Sequence, residues 1–119
     1  MARPRESQLR KGALELAVLA LIARSEPDGV YGGALVGQLA ARPALAAPQG
    51  TIYPLLSRLR QQGIVETTWR ESPAGPPRRY YRLTADGAGR LGEQRATWRA
   101  LVSDMADVLK DPAGKDMQS

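Results

Sequence analysis

The hydrophobic period of this chain changes once, at Gly63, and that change limits the folds open to it. Upstream, Ile52, Leu55, Leu56 and Leu59 stand at i, i+3, i+4 and i+7, the spacing that lines one face of an α-helix with apolar side chains. Downstream, Val65, Thr67 and Trp69 alternate with Glu66, Thr68 and Arg70, the period of a strand. The spacing therefore predicts a helix over residues 49–62, stopped by Gly63 as a C-terminal cap, and a strand over 64–71. The run Ser72-Pro73-Ala74-Gly75-Pro76-Pro77 is expected to be irregular, because proline cannot donate to a ladder. Residues 78–83, rich in Arg and Tyr, read as the returning strand of a hairpin with a proline-stiffened tip. Trp69 is expected in the core of that hairpin, and Tyr81 with Leu83 on its buried side.

Around this unit the chain is helical, so the expected fold class is mostly α with a small β hairpin. Residues 9–24 form a first helix with Leu14, Val18, Leu21 and Ile22 on one stripe and Ala13, Leu16, Ala17 and Ala20 on the other. A helix apolar on both sides needs two neighbours. Residues 31–41 read as a shorter helix with Leu35, Val36 and Leu39 inward, and 42–48 as a loop. Thr84 caps a final helix over 85–110, with Asp86 in the first turn where a negative charge suits the dipole. At 1.5 Å per residue that helix is on the order of 40 Å long. Its apolar positions repeat at seven: Leu91, Trp98 and Met105, then Leu101 and Val108, then Val102 and Leu109. A chain of 119 residues is too small to cover all of it. The expected solution is a two-fold dimer in which Leu14, Val18 and Leu21 join Leu91, Trp98, Leu101 and Met105. The polar segment 111–119 is expected to be a disordered tail.

Composition removes several classes of chemistry. Without cysteine or histidine there is no disulfide, thiolate or imidazole metal site, and no Ser-His or Cys-His relay. No cofactor or metal is expected. Glu66 and Glu71 would face opposite sides of a regular strand, and no phosphate-cradling loop or nucleophile motif accompanies them, so an enzyme is not expected. The first residues show no secretion signal, and the apolar run from 13 to 23 is too short to cross a bilayer, so a cytoplasmic protein with no membrane partner is expected.

The net charge of +5 is local. Residues 42–82 hold seven basic and two acidic side chains, and no acidic residue stands between Asp28 and Glu66. An anionic partner for that segment is the natural inference. Three helices followed by a two-stranded hairpin is the order of a winged helix-turn-helix, in which the third helix enters the major groove of double-stranded DNA and the basic hairpin reaches the backbone beside it. On that reading residues 1–83 are the DNA-binding part and 84–110 the dimerisation helix. Gln49, Thr51, Tyr53, Ser57 and Arg58 are the candidate contacts on the helix, and Arg78 and Arg79 those on the wing. Arg10, Lys11, Arg42 and Arg60 are expected at phosphates. A polar outer face with Ser57, Arg58 and Gln61 weighs against the alternative, a winged-helix protein-interaction module without an operator.

The string Gly50-Thr51-Ile52-Tyr53-Pro54-Leu55-Leu56-Ser57-Arg58-Leu59, then Gly63-Ile64-Val65, then Pro76-Pro77-Arg78-Arg79-Tyr80-Tyr81-Arg82-Leu83-Thr84 resembles the PadR family of transcriptional regulators, in its compact type with a single C-terminal helix. The resemblance implies a homodimeric repressor, often released by a small phenolic or otherwise aromatic effector; a dimer that places two reader helices in successive major grooves is expected on an inverted repeat. Trp98 is expected as a packed interface residue; the resemblance adds the reading that two symmetry-related Trp98 rings flank the effector. Two departures stand out. The family's usual Gly-Tyr-Glu at the second helix reads Gly32-Gly33-Ala34 here, and Pro48 holds the place of the usual Ser or Asn cap before the third helix.

Overall fold

The computed structural model describes residues 4–110, with side chains from residue 11 onward. The expected tail at 111–119 and the side chain of Arg10 lie outside the described residues. The elements are α1 (Pro4–Arg24), β1 (Val30–Tyr31), α2 (Gly32–Ala40), α3 (Gln49–Gln61), β2 (Val65–Ser72), β3 (Gly75–Leu83) and α4 (Ala85–Val108).

α1 is the centre of the molecule. Val18, Leu19 and Ile22 are fully buried, and Leu14 and Leu21 are nearly so, because α1 is sandwiched between the helix-turn-helix and α4. Each such aliphatic side chain removed from water contributes about 1.5–3 kcal/mol. Its expected start at residue 9 is five residues late, since Pro4 sits where a helix's first turn tolerates a missing amide donor.

The hairpin is part of a three-stranded antiparallel sheet in the order β1-β3-β2. The sequence reading placed Tyr31 at the start of a helix; instead Val30 pairs with Tyr81 and Tyr31 with Tyr80. A two-residue strand is too short to show alternation, and its pairing partner lies fifty residues away. The prolines need a second correction: Gly75, Pro76 and Pro77 belong to β3. They are tolerated because β1 meets β3 only at Tyr80 and Tyr81, and because the β2–β3 register breaks between Arg70 and Ser72. Ser72 Oγ donates to the Pro76 carbonyl across this irregular tip, 2.9 Å.

α3 runs through Pro54 without a break. At its start Pro48 offers no side-chain cap, and its carbonyl accepts from the amides of Thr51 and Ile52 at 2.9 and 3.1 Å. At its end Gly63 has φ +73°, its amide donates to Arg60 O, and that of Ile64 donates to Leu59 O, which is the paired closure that a left-handed glycine permits. The chain then crosses the hairpin and enters α4 at Thr84. Gly87 in the first turn of α4 is so close to the Ile64 carbonyl that a Cβ would collide with it.

Candidate nucleic-acid interface

Ile52, Leu55, Leu56 and Leu59 are buried, so α3 is anchored by the stripe read from the sequence. Its remaining face is open. Gln49, Thr51, Tyr53, Ser57, Arg58, Arg60 and Gln61 are all exposed, and no carboxylate belongs to that face. Of these, Tyr53, Ser57, Arg58 and Gln61 are on the side away from the stripe, where a winding of about 100° per residue puts them; Gln49 and Thr51 are exposed at the start of the helix.

Tyr53 has a second task that the sequence reading missed. Its ring lies over Gly32 at the start of α2, where a Cβ would fall 2.5 Å from Cε1 and 2.8 Å from the hydroxyl oxygen. The glycine lets α2 and α3 close on one another, and Tyr53, still 40% exposed, keeps its phenol edge at the surface. Gly32 was visible in the sequence, but only the fold reveals what it makes room for. Gly33, at the place of the family's tyrosine, is exposed and lies against the ring of Tyr31.

Arg58 occupies the edge of α3 nearest α1. Its Nη2 donates to Glu15 Oε1 at 2.8 Å, so one of its donors is committed within the chain. Arg42, expected at a phosphate, donates from Nη1 to the Gln38 carbonyl at 2.6 Å and closes the end of α2. Lys11 lines a cavity of about 360 Å³ beneath the start of α3, together with Leu14, Pro48, Thr51, Leu55 and Arg58.

The wing arginines are held by aromatic rings. Arg78 lies 4.2 Å from the Tyr31 ring centre, Arg70 3.7 Å from that of Tyr80, and Tyr31 meets Tyr80 edge-on at 5.5 Å. Arg79 is on the opposite face, 4.7 Å from the Trp69 ring centre, and donates to Thr67 Oγ1 at 2.9 Å. Such stacking pre-orders long side chains and reduces the entropy lost on meeting a phosphate. Arg70, which the sequence reading passed over, belongs to this set. Trp69 was expected in the core; at 63% exposure it is on the surface, because at the outer end of the hairpin the strand has outrun the helices that cover its inner face. Tyr81 and Leu83 do face the core as expected. Burial pushes the Tyr81 phenol above its ordinary range, with the Arg79 charge pulling the other way.

The expected dimer face needs the largest correction. Leu14, Val18, Leu21 and Leu91 are buried in the chain's own core and cannot serve as open interface. Trp98, Leu101 and Met105 remain exposed, joined by Val102, Val108 and Leu109. Trp98 also lines a groove of about 400 Å³ between α1 and α4, with Gly12, Leu16, Gln94 and Leu101. Among the described residues no cluster of metal-ligating side chains occurs, and no helix is long and apolar enough to cross a membrane.

Comparison with known proteins places this geometry. Residues 18–93 match the family described as the transcriptional regulator PadR-like family. Among solved structures, a PadR-like transcriptional regulator from Bacillus cereus is similar at 32% identity and a TM-score of 0.79, over 88% of this chain and 99% of that one. A PadR family transcriptional regulator from Eggerthella lenta is similar at 36% identity and 0.72, over 86% of each chain. An uncharacterized protein of Lysinibacillus sphaericus is 25% identical over 107 residues, which is 88% of this chain and 94% of that protein.

Proposed function

The chain belongs to the PadR-like family of transcriptional regulators, which bind DNA and are not enzymes; from that premise we propose that it is a homodimeric repressor that binds an inverted repeat from the cytoplasm. Residues 1–83 serve as the winged DNA-binding part and 84–110 as the dimerisation helix. The observation that carries the reading is the division of α3 into a wholly buried apolar stripe and an exposed, carboxylate-free face, flanked by three arginines stacked on aromatic rings.

In the proposed complex the start of α3 lies in the major groove, where Gln49, Thr51, Tyr53 and Ser57 reach base edges or phosphates and Arg58 spends its further N–H groups on DNA. Arg78 and Arg79 meet the backbone from the wing. Dimerisation through Trp98, Leu101 and Met105 covers apolar surface that one chain leaves open, and sets two α3 helices about one helical turn apart. A small aromatic effector enters the α1–α4 groove beside Trp98 and releases the operator by changing how those helices meet. The polar outer face of α3 favours this over a protein-binding module.

Footprinting on the DNA upstream of the protein's own gene tests the proposal. Two protected half-sites are expected, about one turn apart. Equal affinity for that DNA and for random duplex at moderate salt would sink it. For the effector, a Trp69→Phe variant leaves Trp98 as the sole tryptophan; its fluorescence should change with the right aromatic compound, and no response across a panel of them would remove Trp98 from the site.

A further inference from the structure

Glu15 stands in the middle of α1, and its two carboxylate oxygens face different helices. Oε1 accepts from Arg58 Nη2 of α3 at 2.8 Å. Oε2 accepts from Gln94 Nε2 of α4 at 2.8 Å and lies 3.6 Å from Arg90 Nη1, also of α4. The same Arg90 nitrogen donates to Gln62 Oε1 at the end of α3, 3.0 Å. The Glu15 side chain is only 17% exposed, so these contacts are less diluted by water than a surface pair would be.

We propose that Glu15 is a positioning residue that transmits the placement of α4 to the guanidinium that α3 presents to DNA. The inference rests on the reading of α3 as the DNA-reading helix, and adds to it the link by which the rest of the molecule controls that helix. Gln94 is the input. It lines the α1–α4 groove with Trp98, and its Oε1 is buried without a hydrogen-bond partner among the described residues, so the bond to Glu15 is what fixes its amide. Hydrogen bonds weaken steeply with distance and angle. When α4 shifts along α1, Glu15 must follow Gln94 or lose it. In either case the acceptor that orients Arg58 changes. Occupation of the groove, or its closure by a second copy, therefore reaches Arg58 through one carboxylate.

Charge alone makes the opposite prediction, which gives the test its sign. A carboxylate near a DNA surface repels phosphate, so Glu15→Gln should strengthen binding to any duplex if Glu15 acts only through its field. The relay requires Glu15→Gln to weaken binding.

In the experiment, the full-length wild-type protein selects a duplex from a random library. The affinity of each variant is then measured on that duplex and on a random one of the same length, at matched salt. Gln94→Ala, which removes no charge, is expected to weaken binding of the selected duplex about three- to tenfold while its melting temperature stays within about 4 °C of wild type. In an Arg58→Ala background the same change should have no further effect. Gln94→Leu, which keeps the side-chain volume, serves if the alanine variant melts early. Additive effects of the Gln94 and Arg58 substitutions, or a Glu15→Gln variant that binds both duplexes more tightly, would overturn the relay while leaving the DNA-reading role of α3 intact. A wild-type protein that enriches no duplex would remove the premise and the relay with it.

Discussion

α3 and α4 are both helices with a regular apolar stripe, and they meet opposite fates. The stripe of α3 is completely covered by its own chain; that of α4 is covered only as far as Leu91, after which Trp98, Leu101, Val102, Met105, Val108 and Leu109 are exposed. The outer faces differ in the same sense. α3 shows solvent hydroxyls, amides and guanidinium groups, whereas α4 shows it a row of hydrocarbon among its charged side chains. One helix is thus finished as part of a monomer and offers chemistry suited to phosphates and base edges. The other exposes an apolar row well beyond the scattered hydrophobics of an ordinary surface, and that row suits a second copy of itself.

The sharpest way to break this contrast is to damage the stripe that is already satisfied. Leu56 of α3 is fully buried, and Leu56→Ala should cost about 2–5 kcal/mol of folding stability, read by chemical denaturation. Loss of under about 1 kcal/mol would mean that the stripe is not what anchors α3. On α4 the corresponding experiment should leave the fold and change the assembly. Leu101→Asp combined with Met105→Asp is expected to halve the mass in light scattering while the far-ultraviolet circular dichroism keeps its helical shape. A wild-type protein that is already monomeric at micromolar concentration would refute the dimer.

The same two helices explain what could be read from the sequence. The stripe of Ile52, Leu55, Leu56 and Leu59 was legible because a helical period written in four residues is a local signal, and Thr84 and Gly63 were legible because caps are local chemistry. Leu14, Val18 and Leu21 were assigned to a partner because periodicity tells that a face is buried but not by what; the cover comes from the chain's own later elements, α4, β3 and the helix-turn-helix. Trp69 failed for a related reason. Alternation assigned it correctly to the inner face of β2, where it lies opposite Arg79, but not to a stretch beyond the reach of the helices. Glu15 shows in the sequence only as a charge interrupting the apolar run of residues 13–23; its partners Arg58, Arg90 and Gln94 lie 43, 75 and 79 residues away.

Two smaller effects concern how the helices are tied to each other. Gly87 places the first turn of α4 against the Ile64 carbonyl, immediately after the end of α3. Gly87→Ala would gain helix propensity on an open surface; here the added methyl has to push backbone aside, and a loss of about 1–3 kcal/mol is expected by thermal or chemical denaturation. A stabilised variant would show that the two helices are not in close contact at this joint.

The smallest predicted effect lies at the same joint and separates its polar half from its steric half. The Thr84 hydroxyl donates to the Gly63 carbonyl at 2.6 Å and accepts from the Gly87 amide at 3.0 Å, while the Thr84 amide donates to Ile64 O at 3.1 Å. One side chain thereby caps α4 and satisfies a carbonyl left over from the end of α3. Thr84→Ala removes both hydroxyl bonds and should cost about 1 kcal/mol, within the usual range for a lost helix cap. Thr84→Ser keeps the hydroxyl and should lie within about 0.5 kcal/mol of wild type. If Ser and Ala lose equal stability, the methyl group of Thr84 matters rather than its hydroxyl, and the joint between α3 and α4 is held by packing alone.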